Sequence, residues 1–238
     1  VQSYLIVLKK IAMDGLTAES SLYPQKAAVG KRQAGVPAFK EWAIVCASIE
    51  RGETSLIFRK GGIAEGSQGF QLKHTRFFLF PTYFHEQIER TRLGRERDLL
   101  PRKDCVTISV FVEIEFAALV RDLNPLQTLE ELHVLQSTVL EERFYYDKQE
   151  GLHVAFLRAF RLSPVWQLPL HPSYGGCRSW ITLPDPPSDL RKEPVLADEE
   201  QKHRRSLCVA RIGSHVKQLD SLQCRGDTIA DPIDFPRI

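Results

Sequence analysis

Arg59-Lys60-Gly61-Gly62 brings two cations and two glycines together at the end of an apolar run. A guanidinium can grip a phosphate as a fork, an ammonium adds a point charge, and glycines let backbone N–H groups approach an anion. The lysine precedes the glycines and no Ser or Thr follows in place, so this is not a P-loop. The same residues also make an ordinary turn, with glycine at positive φ and Arg59 paired to a carboxylate. Phe80-Pro81-Thr82-Tyr83-Phe84-His85 sets a hydroxyl and an imidazole where a strand gives way to a helical pattern. Thr82 suits an N-cap. His85 suits proton transfer or donation to a base edge, at a helix start that attracts anions.

Gly175-Gly176-Cys177-Arg178-Ser179-Trp180 offers a thiol after two glycines. Cys177 is a nucleophile if His85 or His171 comes within hydrogen-bond reach; otherwise the segment is a glycine turn feeding a last strand. Glu113 and Glu115 share one face of a strand, because residues two apart point the same way. With Asp104 upstream they resemble the carboxylates of a restriction-type nuclease, but Phe116 and Ala117 stand where Glu-x-Lys needs its lysine. Arg143-Phe144-Tyr145-Tyr146 mixes a cation with aromatic faces that stack bases or close a core. No pair of ligands has metal-site spacing, so neither a metal nor a cofactor is expected.

The elements that must position these groups follow from hydrophobic period. Trp42, Val45, Cys46 and Ile49 recur at helical spacing over Phe39 to Glu50, and Gly52 stops that helix. Thr54 to Phe58 and Arg76 to Phe80 read as strands, and Tyr83 to Leu100 as a charged helix. Val106 to Phe116 alternates as a half-buried strand. Asn124-Pro125 opens a helix to about Phe144. Leu152 to Leu162 and Ser179 to Leu183 are further strands. The fold class is α+β: a single compact domain with a mixed or barrel-like, mostly antiparallel sheet and two or three helices, flanked by flexible termini. Residues 1–37 form a flexible arm, 38–183 the core, and 184–238 a charged, proline-containing, poorly ordered tail.

Composition bounds the function. The 238 residues carry a formal charge of +2 and are 43% hydrophobic, enough for a real core and too evenly charged for a nucleic-acid-coating basic block. Five cysteines, Cys46, Cys105, Cys177, Cys208 and Cys224, include no Cys-x-x-Cys, which excludes a zinc ribbon or thioredoxin motif. Their odd number points to reduced thiols in the cytoplasm. No stretch reaches membrane-span length, so no membrane partner is expected. The only methionine is Met13, and the first twelve residues read as an extension upstream of a start.

Phe39-Lys40-Glu41-Trp42-Ala43, Leu56 to Ile63, Phe78-Leu79-Phe80-Pro81-Thr82 with His85, Arg143-Phe144 and Tyr174 to Trp180 resemble, in order and spacing, Domain of Unknown Function 1802. The family is uncharacterised, and some members are associated with restriction-endonuclease-type domains, so the resemblance implies a link to nucleic acid. A helix followed by Gly52 and Arg59 is also similar to the start of PUA-like ASCH domains, small barrels that bind RNA or modified bases. Thr54 and Ile57 replace that pattern's lysine and glutamate.

The reading that joins these features is a binding module for nucleic acid or a nucleotide-like anion, using Arg59, Lys60, Gly61, Gly62, Thr82, His85, Arg143 and Tyr174. The alternative is a small intracellular hydrolase or transferase using Cys177 and His85. The absence of paired acid/base or metal spacing favours binding over catalysis.

Overall fold

A computed structural model of the protein describes residues 35–60, 72–84, 86–94, 104–146 and 150–213. Gly61, Gly62, His85, Cys224 and the N-terminal arm as far as residue 34 lie outside these residues. Seven strands and four α-helices are described: β1 Val36–Trp42, α1 Ala43–Glu50, β2 Leu56–Arg59, β3 Arg76–Thr82, β4 Cys105–Val120, α2 Leu123–Gln127, α3 Ser137–Phe144, β5 Leu152–Pro169, β6 Trp180–Leu183, β7 Arg191–Pro194 and α4 Asp198–Ile212.

The strands form one mixed sheet in the order β2-β5-β4-β3-β1-β6, with β7 added to β5. Among the described residues only β1 and β3 run parallel, and the other pairs are antiparallel. The sheet does not close into a barrel: among the described residues no ladder joins β2 to β1. The sheet nevertheless curls far enough for Arg59 on β2 to reach the Lys40 carbonyl on β1. That unsealed seam is the feature that positions the site.

β1 replaces the first third of the expected Phe39–Glu50 helix, and α1 forms the rest. Ala38 and Phe39 are both buried, so neither face shows a period-two pattern, and a strand buried on both faces reads as a plain apolar run. α1 starts immediately after Trp42, and Gln87 accepts from the Ile44 N–H at 3.2 Å, capping the helix from another segment. β3 runs through Pro81 to Thr82. Residues 86–94 form turns and a Thr91–Leu135 bridge, where a helix was expected. That bridge also splits the expected 126–144 helix: the Arg92 N–H donates to the Val134 carbonyl and the Gln136 N–H to the Arg90 carbonyl, which draws residues 133–136 out straight.

The alternation expected in β4 is present but serves two cores. Val106 and Ile108 pack with Phe78, Phe111, Phe160 and Trp166; Val110, Val112 and Ile114 pack with Phe39, Phe77, Phe156 and the helices. The switch of faces falls at a register shift between Ile108 and Val110, because an irregularity inverts the side-chain parity of the residues beyond it.

Residues 191–212, assigned by composition to a solvated tail, hold β7 and α4. Their anchors are largely polar. Gln201 donates to Glu115 at 2.8 Å and to the Leu157 carbonyl at 3.0 Å, Arg204 to the Gly52 carbonyl at 2.6 Å, and Cys208 and Ile212 add the apolar contact. Among the described residues no helix is long and apolar enough to cross a membrane.

Candidate functional site at the end of β1

Lys40, Glu41 and Trp42 end β1, and groups from four distant segments meet there. Glu41 is 2% exposed. Its carboxylate accepts from the Trp42 N–H at 2.7 Å and faces the Arg59 guanidinium at 3.3 Å. Arg59 also donates to the Lys40 carbonyl and lies over the Phe39 ring at 4.6 Å, with its Nε unmatched by an acceptor. Thr82 donates to the Glu41 carbonyl at 2.9 Å, a strand-to-strand tie rather than a helix cap.

Arg143 approaches from α3. It donates to the Phe58 carbonyl at 3.0 Å and stacks 4.5 Å above Trp42. Burial pulls its pKa down to about 10, opposed by Glu41 and assisted by Arg59 and Arg90, so it remains a cation at neutral pH. Lys60 donates to the Phe144 and Gly151 carbonyls at 2.8 and 2.9 Å, fastening the end of α3 to the end of β2. The turn thus fastened carries Tyr145 and Tyr146, exposed by 56% and 64%.

On the other side of β1, the Lys40 ammonium donates to the Gly176 carbonyl at 2.9 Å. Burial, then the nearby Arg178 charge, lowers its pKa. Tyr174 is half-buried against Phe80, with ring centroids 5.4 Å apart. Cys177 is exposed. Among the described residues no histidine is hydrogen-bonded to it, and His171 is held by Ser173 instead, at 2.7 Å.

Glu113 and Glu115 are anchors: Glu113 meets Lys192 at 3.0 Å and Arg76 at 3.3 Å, and Glu115 takes Gln201 and Arg205. Among the described residues no group of three His, Cys, Asp or Glu side chains is placed to hold a metal.

Of the residues expected from sequence, Arg59, Thr82 and Arg143 meet around Glu41 and Trp42, with Lys60 at the adjoining strand end. Tyr174 sits across β1 from them. Reasoning from periodicity missed Lys40, Glu41 and Arg178, because the first two were read as part of a helix and the third as part of a turn. The usable signal was their presence in the segments that carried the family resemblance.

The family described as Domain of unknown function (DUF1802) matches residues 38–206. The chain belongs to that family. The match of this Domain of Unknown Function 1802 protein continues past the expected core, through β7 and into α4. No curated protein matches the chain. Among solved structures it is similar to an ASCH protein from Zymomonas mobilis, at 12% identity and a TM-score of 0.36, over 76% of this chain and 96% of that one. A serine-to-alanine variant of the Zymomonas mobilis protein gives 13%, 0.36, 74% and 97%. Its tyrosine-to-phenylalanine variant gives 14%, 0.37, 72% and 96%.

Proposed function

We propose that this domain binds nucleic acid or a nucleotide-like anion at the end of β1. The carrying observation is a local excess of positive charge: Arg59 and Arg143 share the carboxylate of Glu41, itself sealed from solvent, on one side of β1, while Lys40 and Arg178 lie close together on the other side with no acid paired to either among the described residues. An anion supplied from solution offsets that excess, whereas a cationic or neutral ligand leaves it in place. Arg59 and Arg143 hold the seam and its field, Lys60 fixes the turn of α3, and Thr82 ties β3 to β1. Tyr174, Tyr145 and Tyr146 supply ring faces for bases.

The test is binding of fluorescent single-stranded and duplex RNA and DNA across a salt series. Saturable binding is expected whose logarithm falls with the logarithm of salt, at a slope of about −1 to −3 for two to four phosphates on a single strand. Replacing Tyr145 and Tyr146 together by Ala is expected to weaken single strands more than duplexes. No saturable binding at low salt would refute nucleic acid as the partner.

A further inference from the structure

We infer that the Gly175–Arg178 turn, with Lys40 against it, is a binding site for a phosphate monoester dianion. The inference rests on the anion-binding reading above and names the group that reading would capture here.

Lys40 is 9% exposed, and among the described residues its ammonium meets the Gly176 carbonyl and no carboxylate. The ammonium at the end of that side chain is partly buried, and a cation drawn part-way out of water gains from an acid beside it. Arg178 stands close enough to Lys40 for the two charges to repel, is exposed, and has no hydrogen-bond or ion-pair partner among the described residues. Two neighbouring cations therefore have no matching acid.

The backbone points the same way. The N–H groups of Gly176, Cys177 and Arg178 donate to no acceptor among the described residues. Gly176 has φ +81°, and a Cβ placed on it would meet nothing within 4 Å. Consecutive unpaired N–H groups around a left-handed glycine are the components of an anion nest, and here the space in front is open.

Charge decides the class of anion. A phosphodiester carries one negative charge and leaves one of the two cations unmatched; a phosphate monoester near neutral pH carries close to two. Arg178 supplies the fork, Lys40 the point charge and the turn the N–H donors. The monoester can belong to a free mononucleotide or to the 5′ end of a strand.

The experiment compares a 5′-phosphorylated single-stranded RNA with its 5′-hydroxyl twin, and adds AMP, adenosine and inorganic phosphate as separate titrants. The phosphorylated strand is expected to bind about tenfold more tightly, the weight of one charge-assisted hydrogen bond. AMP is expected to compete where adenosine does not. Lys40→Met and Arg178→Ala should each remove most of the preference. If Lys40→Met does not fold, Arg178→Ala decides, since no described residue depends on that side chain. Binding of AMP alone, lost in Arg178→Ala, supports the site and makes the free nucleotide its source. Equal affinity for the two strands, with no competition by AMP, overturns the site and leaves nucleic-acid binding standing. No binding by any titrant overturns both.

Discussion

Replacing Arg59 by Met should cost the domain about 3 kcal/mol, for reasons that can be separated. At 3.3 Å the gross attraction between Arg59 and Glu41 is about 5 kcal/mol at an effective dielectric constant near 20. Most of that offsets the desolvation of two charges, so the pair itself is weakly stabilising. Removing Arg59 leaves the desolvation of Glu41 in place without its partner, which for buried pairs costs about 3–5 kcal/mol. The lower end applies, because Arg59 retains 20% exposure and the Trp42 N–H and the Arg143 charge still serve the carboxylate. That total includes about 1 kcal/mol or less from loss of the bond to the Lys40 carbonyl and of the stack on Phe39.

Glu41→Gln should cost less, about 2 kcal/mol, because Arg59 can turn to solvent. The double variant should cost no more than about 3 kcal/mol, giving a coupling of about 2 kcal/mol. Urea unfolding measures all four proteins, read at constant m so that only stability is compared. If Arg59→Met falls within about 0.5 kcal/mol of the parent and the two changes simply add, the buried-carboxylate reasoning is wrong. A loss of ligand binding in Arg59→Met would then need another cause.

His133 is 2% exposed, and burial, helped by the Arg92 and Arg143 charges, holds its pKa near 3 instead of 6.5. The unfolded chain therefore binds a proton that the folded one refuses. Stability present above about pH 6.5 is lost as pH falls towards 3, by about 1 kcal/mol per pH unit at the steepest. His133→Asn keeps an acceptor for the Leu135 N–H and should flatten that part of the pH–stability curve. Gly52 has φ +78°, and an added Cβ would come within 2.8 Å of the Leu196 side chain. Gly52→Ala should cost about 1–2 kcal/mol, seen as a lower melting temperature. Native thiol labelling followed by peptide mass mapping should modify Cys177 first. Cys46 and Cys208 should react only after unfolding, since burial pushes the first well above its ordinary pKa and the second to about 12. Saturating AMP should slow labelling of Cys177 if the phosphate site is as inferred.

Elements whose signal is local were readable. β4 alternates on either side of the consecutively buried Val110, Phe111 and Val112, because there one side chain in two is buried, and Thr54 to Phe58 and Leu152 to Leu162 are β-rich runs that β2 and β5 largely follow. β1 was not readable, since burial on both faces erases the alternation and the true helical period of Val45, Cys46 and Ile49 in α1 runs back through Trp42, the last residue of the strand. α4 was hidden for the opposite reason. Its anchors are Gln201, Arg204 and Arg205, and polar contacts leave no hydrophobic stripe long enough to find. The break at residues 133–136 depends on bridging to Thr91, a partner more than forty residues away.

Of the site, residue types were legible and relations were not. Sequence alone determined that Arg59, Lys60, Thr82, Arg143 and Tyr174 carry groups able to meet an anion, because donor geometry and charge belong to each side chain. It also determined the family, through short segments in a fixed order. Tertiary structure alone decided which cations are already answered. Arg59 is matched by Glu41 across an unsealed seam of the sheet, while Lys40 and Arg178 meet without a described acid between them. Charge compensation is a property of distances of a few ångströms, and those distances are set by the curl of the sheet and the pairing of β1 with β3 and β6.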